Sequence, residues 1–190
     1  SIMSGVIKNI RTLVTKYPLA KGMLTYSVLW PASNVTQQCL DPTRKKINHW
    51  ETVRFAIFGP LVIAPSMYTW IKVASIMVKG NALRHAILKA CLEQIFYAPV
   101  TITQFFIGMN LFEGKSWDES VQEWKVKGPS TWKTAICIWP IIQTVNFWLV
   151  PERNRVPLVA FCGFIWNIYL SYIHSRNWKE NVIEEEAKNL

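Results

Sequence analysis

Uncharged, mostly apolar stretches alternate with clusters of charge along this chain. A helix needs about 20 apolar residues to cross the roughly 30 Å hydrocarbon core of a bilayer. Five stretches approach that length, and we predict a membrane helix over each of 19–40, 52–78, 86–112, 132–150 and 156–175. The last two are joined by the short charged segment 151–155, which favours an antiparallel hairpin. The pattern leaves four and five spans open.

Two further segments have an amphipathic pattern. Apolar residues at helical spacing in 4–17 predict a basic surface helix, which can lie in the membrane interface or serve as an uncleaved mitochondrial-type targeting element. The interval 113–133 predicts a second surface helix, ended by Gly128 and Pro129. We therefore divide the chain into an amphipathic N-terminal helix (1–18), one transmembrane helix-bundle domain (19–176) and a charged tail (177–190).

The predicted fold class is all-α, a polytopic membrane helix bundle of four to five spans. The alternative is a soluble protein with buried core helices, but five such helices cannot all be central in 190 residues. The composition agrees with a membrane protein, because only 17% of the residues are charged, against roughly a quarter in soluble domains.

The net charge of +9 fits a membrane surface better than nucleic acid. The lysines and arginines lie between the apolar stretches rather than along one helix or arm, as a nucleic-acid binder would place them. Such loop bases attract anionic headgroups, so the expected partner is the lipid bilayer, with cardiolipin or another anionic lipid. The bases are shared almost evenly between alternate loops, and no orientation is predicted.

The sequence shows no pattern that favours catalysis, a metal or a cofactor. His49, His85 and His174 lie in different segments, and the four cysteines are too scattered for a metal or disulfide framework. We expect the cysteines to pack between helices as small apolar residues. Trp30 and Trp148 are among the tryptophans near span ends, where an aromatic belt would lie.

Polar residues within the predicted spans are the candidate functional residues. They either line a water-filled path or hydrogen-bond neighbouring helices, and both interpretations stay open. Helix kinks or close packing are expected at four glycines and prolines. The polar candidates are Asn34, Gln37, Glu93, Gln94, Gln104, Gln143 and Asn146, and the kink or packing positions are Gly59, Pro60, Pro99 and Pro140.

Several motifs together resemble one known family. The C-terminal block is Trp139-Pro140-x-x-Gln143-x-x-Asn146-Phe147, followed by Val150-Pro151, Arg155 and Trp166-Asn167, and the earlier blocks contain Tyr68 with Trp70 and Lys89-x-x-x-Glu93-Gln94-x-x-x-Ala98-Pro99. On these residues the chain is similar to the 22-kilodalton peroxisomal membrane protein / Mpv-seventeen family. Phe106-x-Gly108-Met109 with Glu113-Gly114-Lys115 resembles the Mpv-seventeen-like branch of that family. It departs from the family in the first span, where Ser33-Asn34 stands in place of Gly-Asp.

The resemblance implies a multi-span protein of the mitochondrial inner membrane, or less often of the peroxisomal membrane. It also implies channel-like permeability to small solutes, mitochondrial DNA maintenance and control of reactive oxygen species. We expect no enzymatic activity, because no metal or nucleophile spacing surrounds the histidines. The alternative is a non-catalytic accessory subunit docked to a larger inner-membrane complex, for example a respiratory one. Direct nucleic-acid binding is not expected. The solute, and the choice between a homo-oligomer and a larger complex, are not predicted.

Overall fold

A computed structural model of the protein describes residues 16–41 and 44–168, and every regular element in these ranges is a helix. The predicted N-terminal helix and the charged tail lie outside the described residues, apart from positions 16–18. The helices are α1 (Pro18–Leu40), α2 (His49–Met77), α3 (Leu83–Phe112), α4 (Trp117–Leu149) and α5 (152–168).

Local capping chemistry explains where several helices begin. Pro18 opens α1, where a missing N–H costs no helical hydrogen bond. The Asn48 side chain accepts a hydrogen bond from the Glu51 backbone N–H at the start of α2. Ser116 and Glu119 form a reciprocal capping box at the start of α4. The turns before α3 and α4 contain Gly80 and Gly114 at φ values of +122° and +86°.

Helices α4 and α5 correct two of our predictions. Gly128 and Pro129 do not end it, because α4 continues from the amphipathic segment through the fourth predicted span as one helix of 33 residues. Proline removes only one N–H from the ladder, and the Ser130 and Thr131 hydroxyls donate to the Lys127 carbonyl beside it. The predicted hairpin loop is also shorter than expected, since α5 already begins at residue 152.

Wide π-helical turns interrupt α2 and α3 without ending them. They occupy Gly59–Ile63, Glu93–Tyr97 and Gln104–Gly108. Pro60 lies inside the first of these turns and Pro99 follows the second. Proline has no backbone N–H, so the helical hydrogen-bond ladder lacks one bond at each position. Both helices nevertheless continue through these two predicted kink sites, and α4 likewise continues through Pro140.

Short connections make neighbouring helices antiparallel, so the bundle has two ends. One end, here the Asn48 end, holds the end of α1, the start of α2, the end of α3 and the start of α4. The other, the Gly80 end, holds the α2–α3 and α4–α5 turns. Lys21 near the start of α1 donates to the Asn154 side chain near the start of α5 at 2.6 Å, which places both at the Gly80 end.

Apolar side chains both fill the bundle and cover its outside. Large residues with more than half of their surface exposed occur on every helix, for example Val28, Leu61, Phe96, Ile141 and Phe161. By length and composition alone, α2 and α3 qualify as candidate membrane helices in the described part of the chain. Trp30 corrects the aromatic-belt prediction, because it is only 9% exposed and packs in the core.

Candidate functional site

A cavity of about 670 Å³ opens at the Asn48 end, and we call it the vestibule. Its wall comes from α1, α2, α3 and α4 and the connections between them. The wall combines four acidic and four basic side chains with amides and aromatic rings. The charged ones are Asp41, Arg44, Glu51, Arg54, Glu113, Lys115, Glu123 and Lys127; the others include Gln37, Gln38, Asn48, Phe55, Phe105, Phe106, Met109 and Asn110.

The vestibule charges are paired with one another. Arg44 lies 2.6 Å from Glu51, and Arg54 lies 3.3 Å from Glu113. The Arg54–Glu113 pair connects α2 to the residue after α3. Such partly exposed pairs each contribute little to stability, but together they leave the wall of the vestibule close to neutral.

Glu123 is the best-connected carboxylate of the vestibule. It accepts hydrogen bonds from Lys127 at 2.7 Å, from Lys115 at 2.9 Å and from Asn110 at 2.8 Å. Partial burial acts to raise the pKa of Glu123, but these three hydrogen bonds outweigh it and lower the pKa to about 2. The carboxylate is therefore charged at neutral pH and fastens α4 to the end of α3.

Asn34 holds α1 against α2 beneath the vestibule. It is fully buried, donates to Glu51 Oε1 at 2.8 Å and accepts from Gln38 at 2.6 Å and from Thr52 at 2.8 Å. Gln37, predicted beside it, instead lines the vestibule and is partly exposed. Sequence reasoning missed the structural roles of Gln38 and Thr52, although Gln38 lies one helical turn from Asn34 and so on the same face.

A cluster of aromatic side chains adjoins the vestibule. The Trp30 ring lies 5.7 Å from that of Phe55, 6.4 Å from Phe58 and 6.0 Å from Phe105. Phe55 and Phe105 also line the cavity. We call Trp30, Phe55, Phe58 and Phe105 the aromatic constriction.

Two glycines allow these rings to approach the helices so closely. A Cβ at Gly59 would lie 2.9 Å from the Trp30 ring. A Cβ at Gly108 would lie 2.8 Å from Phe58. The predicted packing role of Gly59 is thus to admit an aromatic ring, and Gly108 does the same from α3.

Polar side chains continue from the constriction towards the Gly80 end. Ser66 donates to Gln104 Oε1 at 3.0 Å, and the Tyr97 hydroxyl donates to Ser66 at 3.1 Å. The Tyr97 ring stacks on Trp70 at 5.4 Å between centroids. We call Ser66, Trp70, Tyr97 and Gln104, which lie between α2 and α3, the polar column. It contains Gln104 and Trp70, both predicted candidates. Ser66 was missed, since a lone serine in an apolar stretch gives no distinctive signal.

Three of the predicted polar residues form one buried chain of hydrogen bonds. Gln143 donates to Glu93 Oε1 at 2.6 Å, and Asn146 donates to Gln143 Oε1 at 2.9 Å. The Trp70 indole donates to the other oxygen of Glu93 at 3.0 Å. Each of these residues is at most 9% exposed. This Glu93 network joins α2, α3 and α4. Trp70 links it to the polar column, because the Trp70 ring stacks on Tyr97.

Gln94 takes no part in that chain through its side-chain oxygen. Gln94 Oε1 is buried and has no hydrogen-bond partner among the described residues, while its backbone carbonyl accepts from the Trp132 indole at 3.1 Å. Asn146 Oδ1 is likewise buried without a partner in the described part of the chain.

The remaining motif residues lie outside the polar column. Lys72 Nζ lies 4.8 Å from the centroid of the Tyr68 ring. The rings of Trp139 and Trp166 meet edge to face with their centroids 6.3 Å apart, and Phe147 is buried in the core. Pro99 is exposed on α3. The cysteine prediction was wrong for three positions, because Cys39, Cys91 and Cys137 are exposed on the bundle surface.

Residues 110–171 match the Mpv17 / PMP22 family, and this range contains Trp139, Gln143 and Asn146. "PXMP2/4 family protein 4" of Dictyostelium discoideum is 31% identical to the chain over 84% of its length and 88% of its own. The chain belongs to the Mpv17 / PMP22 family.

Other members of the Mpv17 / PMP22 family are similar over most of their length. "Mitochondrial inner membrane protein Mpv17" of Caenorhabditis elegans is 27% identical, over 88% of this chain and 92% of its own. "Protein SYM1" of Saccharomyces cerevisiae is 28% identical, over 84% of this chain and 85% of its own. No protein of solved structure matches the chain.

Proposed function

We propose that this protein is a multi-span protein of the mitochondrial inner membrane that conducts small solutes along the bundle axis. The single observation that carries the proposal is the vestibule, an open cavity with a polar, charged wall that adjoins the aromatic constriction, beyond which the polar column lies. The location follows the names of the relatives, one of which is a mitochondrial inner membrane protein. The peroxisomal membrane is the alternative location.

The order of these layers along the axis supports a gated path. Hydrophobic constrictions can hold a pore closed by excluding water, and polar groups on either side stabilise the solute that passes. Here the constriction separates the charged vestibule from Gln104, Ser66, Tyr97 and the Glu93 network. The described conformation is closed at the constriction, and conduction requires Phe105 or Trp30 to move aside.

The proposed topology has four to five spans, of which α2 and α3 are two. Helix α1, the second half of α4 and α5 would provide the others, since each also presents exposed apolar side chains such as Val28, Ile141 and Phe161. The first half of α4 is amphipathic and charged, so we place it at the membrane surface.

Flux and single-channel recording of the purified protein in liposomes test the proposal. Phe105→Ala should raise solute flux by opening the constriction, and Phe105→Leu should give an intermediate effect. Phe96→Ala is the matched control, because Phe96 is on the same helix but 56% exposed on the outside. The absence of solute flux and of channel conductance for both folded wild type and Phe105→Ala, with unchanged helical content, would contradict a solute path.

A non-catalytic accessory or structural subunit is the second candidate. It is favoured by the Glu93 network, in which Gln143 and Asn146 bond to protein partners as expected for residues that join helices. Under this hypothesis the exposed apolar faces dock to a larger inner-membrane complex or to further copies of the chain. Migration of the native protein at the mass of one chain in its detergent micelle, with no co-purifying partner, would argue against it.

Cellular roles follow from the first candidate as proposals. A regulated small-solute path in the inner membrane would influence both mitochondrial DNA maintenance and the level of reactive oxygen species, because each depends on solute and ion balance in the matrix. The activity proposed here is permeation or assembly and not catalysis.

A further inference from the structure

The two ends of the bundle differ sharply in charge. Eight lysines and arginines lie at the Gly80 end, in the described ranges 16–25, 72–90 and 149–155, and Glu152 is the one carboxylate in these ranges. At the Asn48 end, the ranges 37–54 and 109–127 hold seven basic and six acidic residues, several of them ion-paired. Excess positive charge is therefore concentrated at the Gly80 end.

Two cations at this end are held against the same aromatic ring. Lys89 Nζ lies 5.7 Å and Arg155 Cζ lies 5.4 Å from the centroid of Phe147. Lys89 is only 3% exposed, and its one hydrogen bond in the described structure goes to the Gly80 carbonyl at 3.3 Å. Arg155 donates to the Phe147 and Val150 carbonyls at 3.2 and 3.1 Å. Neither cation forms an ion pair with a carboxylate among the described residues.

Two exposed cations lie close to this pair along the chain. Arg84 follows the Gly80 turn, and Arg153 lies two residues before Arg155. Both side chains are exposed and make no ion pair within the described ranges. A buried lysine without an ion pair and a half-buried arginine, at an end with exposed guanidinium groups, favour binding of an anion such as a phosphate.

Exposed apolar side chains at the same helix ends indicate which kind of phosphate-containing molecule would bind there. Ile76 is 71% exposed, Leu88 is 49% exposed and Leu149 is 61% exposed. These residues end α2, begin α3 and end α4, close to the basic groups. A phospholipid matches both features, because its phosphate meets the guanidinium groups while its acyl chains cover the apolar side chains. A free phosphate ion would leave the apolar surface uncovered.

We propose that the Gly80 end is a binding site for anionic phospholipid, with Arg84 and Arg153 as exposed phosphate contacts and the Lys89–Arg155 pair beneath them. Basic pockets between membrane helices near the headgroup region are suited to this role. The inference does not depend on the solute path, and holds equally for a channel or an accessory subunit.

The test measures lipid binding to the purified full chain in neutral detergent by native mass spectrometry. The probes are cardiolipin, phosphatidylglycerol and phosphatidylcholine, with inorganic phosphate as competitor. The double variant Arg84→Gln/Arg153→Gln changes only exposed side chains and should keep the fold, which size-exclusion and helical content verify. Lys45→Gln/Lys46→Gln is the matched control, with the same charge change at exposed positions of the Asn48 end.

We expect wild type and the control to bind cardiolipin and phosphatidylglycerol in preference to phosphatidylcholine. The double variant should bind the anionic lipids about tenfold to thirtyfold more weakly, as the loss of about 1 kcal/mol per surface base predicts. Three results would overturn the proposal: equal binding of anionic and neutral lipid by wild type, equal loss in the double variant and the control, or full displacement by millimolar inorganic phosphate, which would indicate a small-anion site.

Discussion

The Gln143 side chain donates a hydrogen bond of 2.6 Å to Glu93 Oε1, although the two residues are 50 positions apart in the chain. Both belong to the polar candidates that the sequence singled out, and Gln143 and Asn146 lie in the C-terminal block that resembles the family and in the range 110–171 that matches it. The motif thus has a physical meaning in this fold, because its amides satisfy a buried carboxyl on a neighbouring helix.

Loss of the Gln143 amide should destabilise the bundle. Gln143→Leu leaves Glu93 Oε1 and the Asn146 amide without their partners, at a cost of about 1–2 kcal/mol inside a membrane. Asn146→Leu should cost less, because it also removes the buried, unpartnered Asn146 Oδ1. Thermal unfolding in detergent measures both, with Ile141→Ala on the exposed side of α4 as control. Equal melting temperatures for Gln143→Leu and wild type would contradict the network.

The close approach of aromatic rings to two glycines gives a second prediction. Gly59→Ala and Gly108→Ala each introduce a methyl group within 3 Å of an aromatic ring, and each should destabilise the protein by about 1–3 kcal/mol. Gly163→Ala on α5 is the control, because its Cβ would meet nothing within 4 Å. That change should be neutral or stabilising by about 0.5–1 kcal/mol. Melting temperatures in which all three variants behave alike would show that the packing at the constriction is loose.

Acid should weaken the attachment of α4 to the end of α3. The pKa of Glu123 lies at about 2 in the folded protein, below its ordinary 4.5, so its contribution to stability is complete above about pH 4.5 and is lost as the pH falls towards 2. The melting temperature of wild type should exceed that of Glu123→Gln at pH 6, and the difference should shrink between pH 4.5 and 3. Asp118→Asn, which changes an exposed carboxylate of the same helix, should show no comparable difference. A gap between wild type and Glu123→Gln that stays constant down to pH 3 would refute the assignment.

The three exposed cysteines offer a test of which surfaces face lipid. Cys91 and Cys137 lie within α3 and α4, away from the helix ends, whereas Cys39 lies one residue before the end of α1. In intact membranes, a charged maleimide should label a variant that retains only Cys39 and should spare variants that retain only Cys91 or Cys137. Detergent with denaturant should make all three reactive. Rapid labelling of Cys137 in intact membranes would remove the second half of α4 from the set of spans.

The sequence by itself determined the all-helical class of the protein and the approximate positions of α1, α2 and α3. The predicted spans 19–40, 52–78 and 86–112 agree with α1, α2 and α3 to within three residues at every boundary. Helix length and apolar content are properties of continuous stretches, and a sequence displays them directly. The polar candidates could be picked out for the same reason, since an amide or carboxyl in an apolar stretch is conspicuous.

Only the tertiary structure decided which polar groups meet and what lies between them. Nothing local links Glu93 to Gln143, or Asn34 to Glu51, because each pair depends on how two helices pack and on their relative rotation. Packing likewise places Trp30 in the constriction; its position midway along the predicted span 19–40 already argues against the membrane interface. The continuation of α4 through Gly128 and Pro129 was missed because helix propensity alone predicts that this pair ends a helix. In the structure the helix loses one backbone hydrogen bond there and keeps its packing on both sides. The uneven distribution of carboxylates between the two ends emerged once the helices were paired, since it depends on which loops share an end of the bundle.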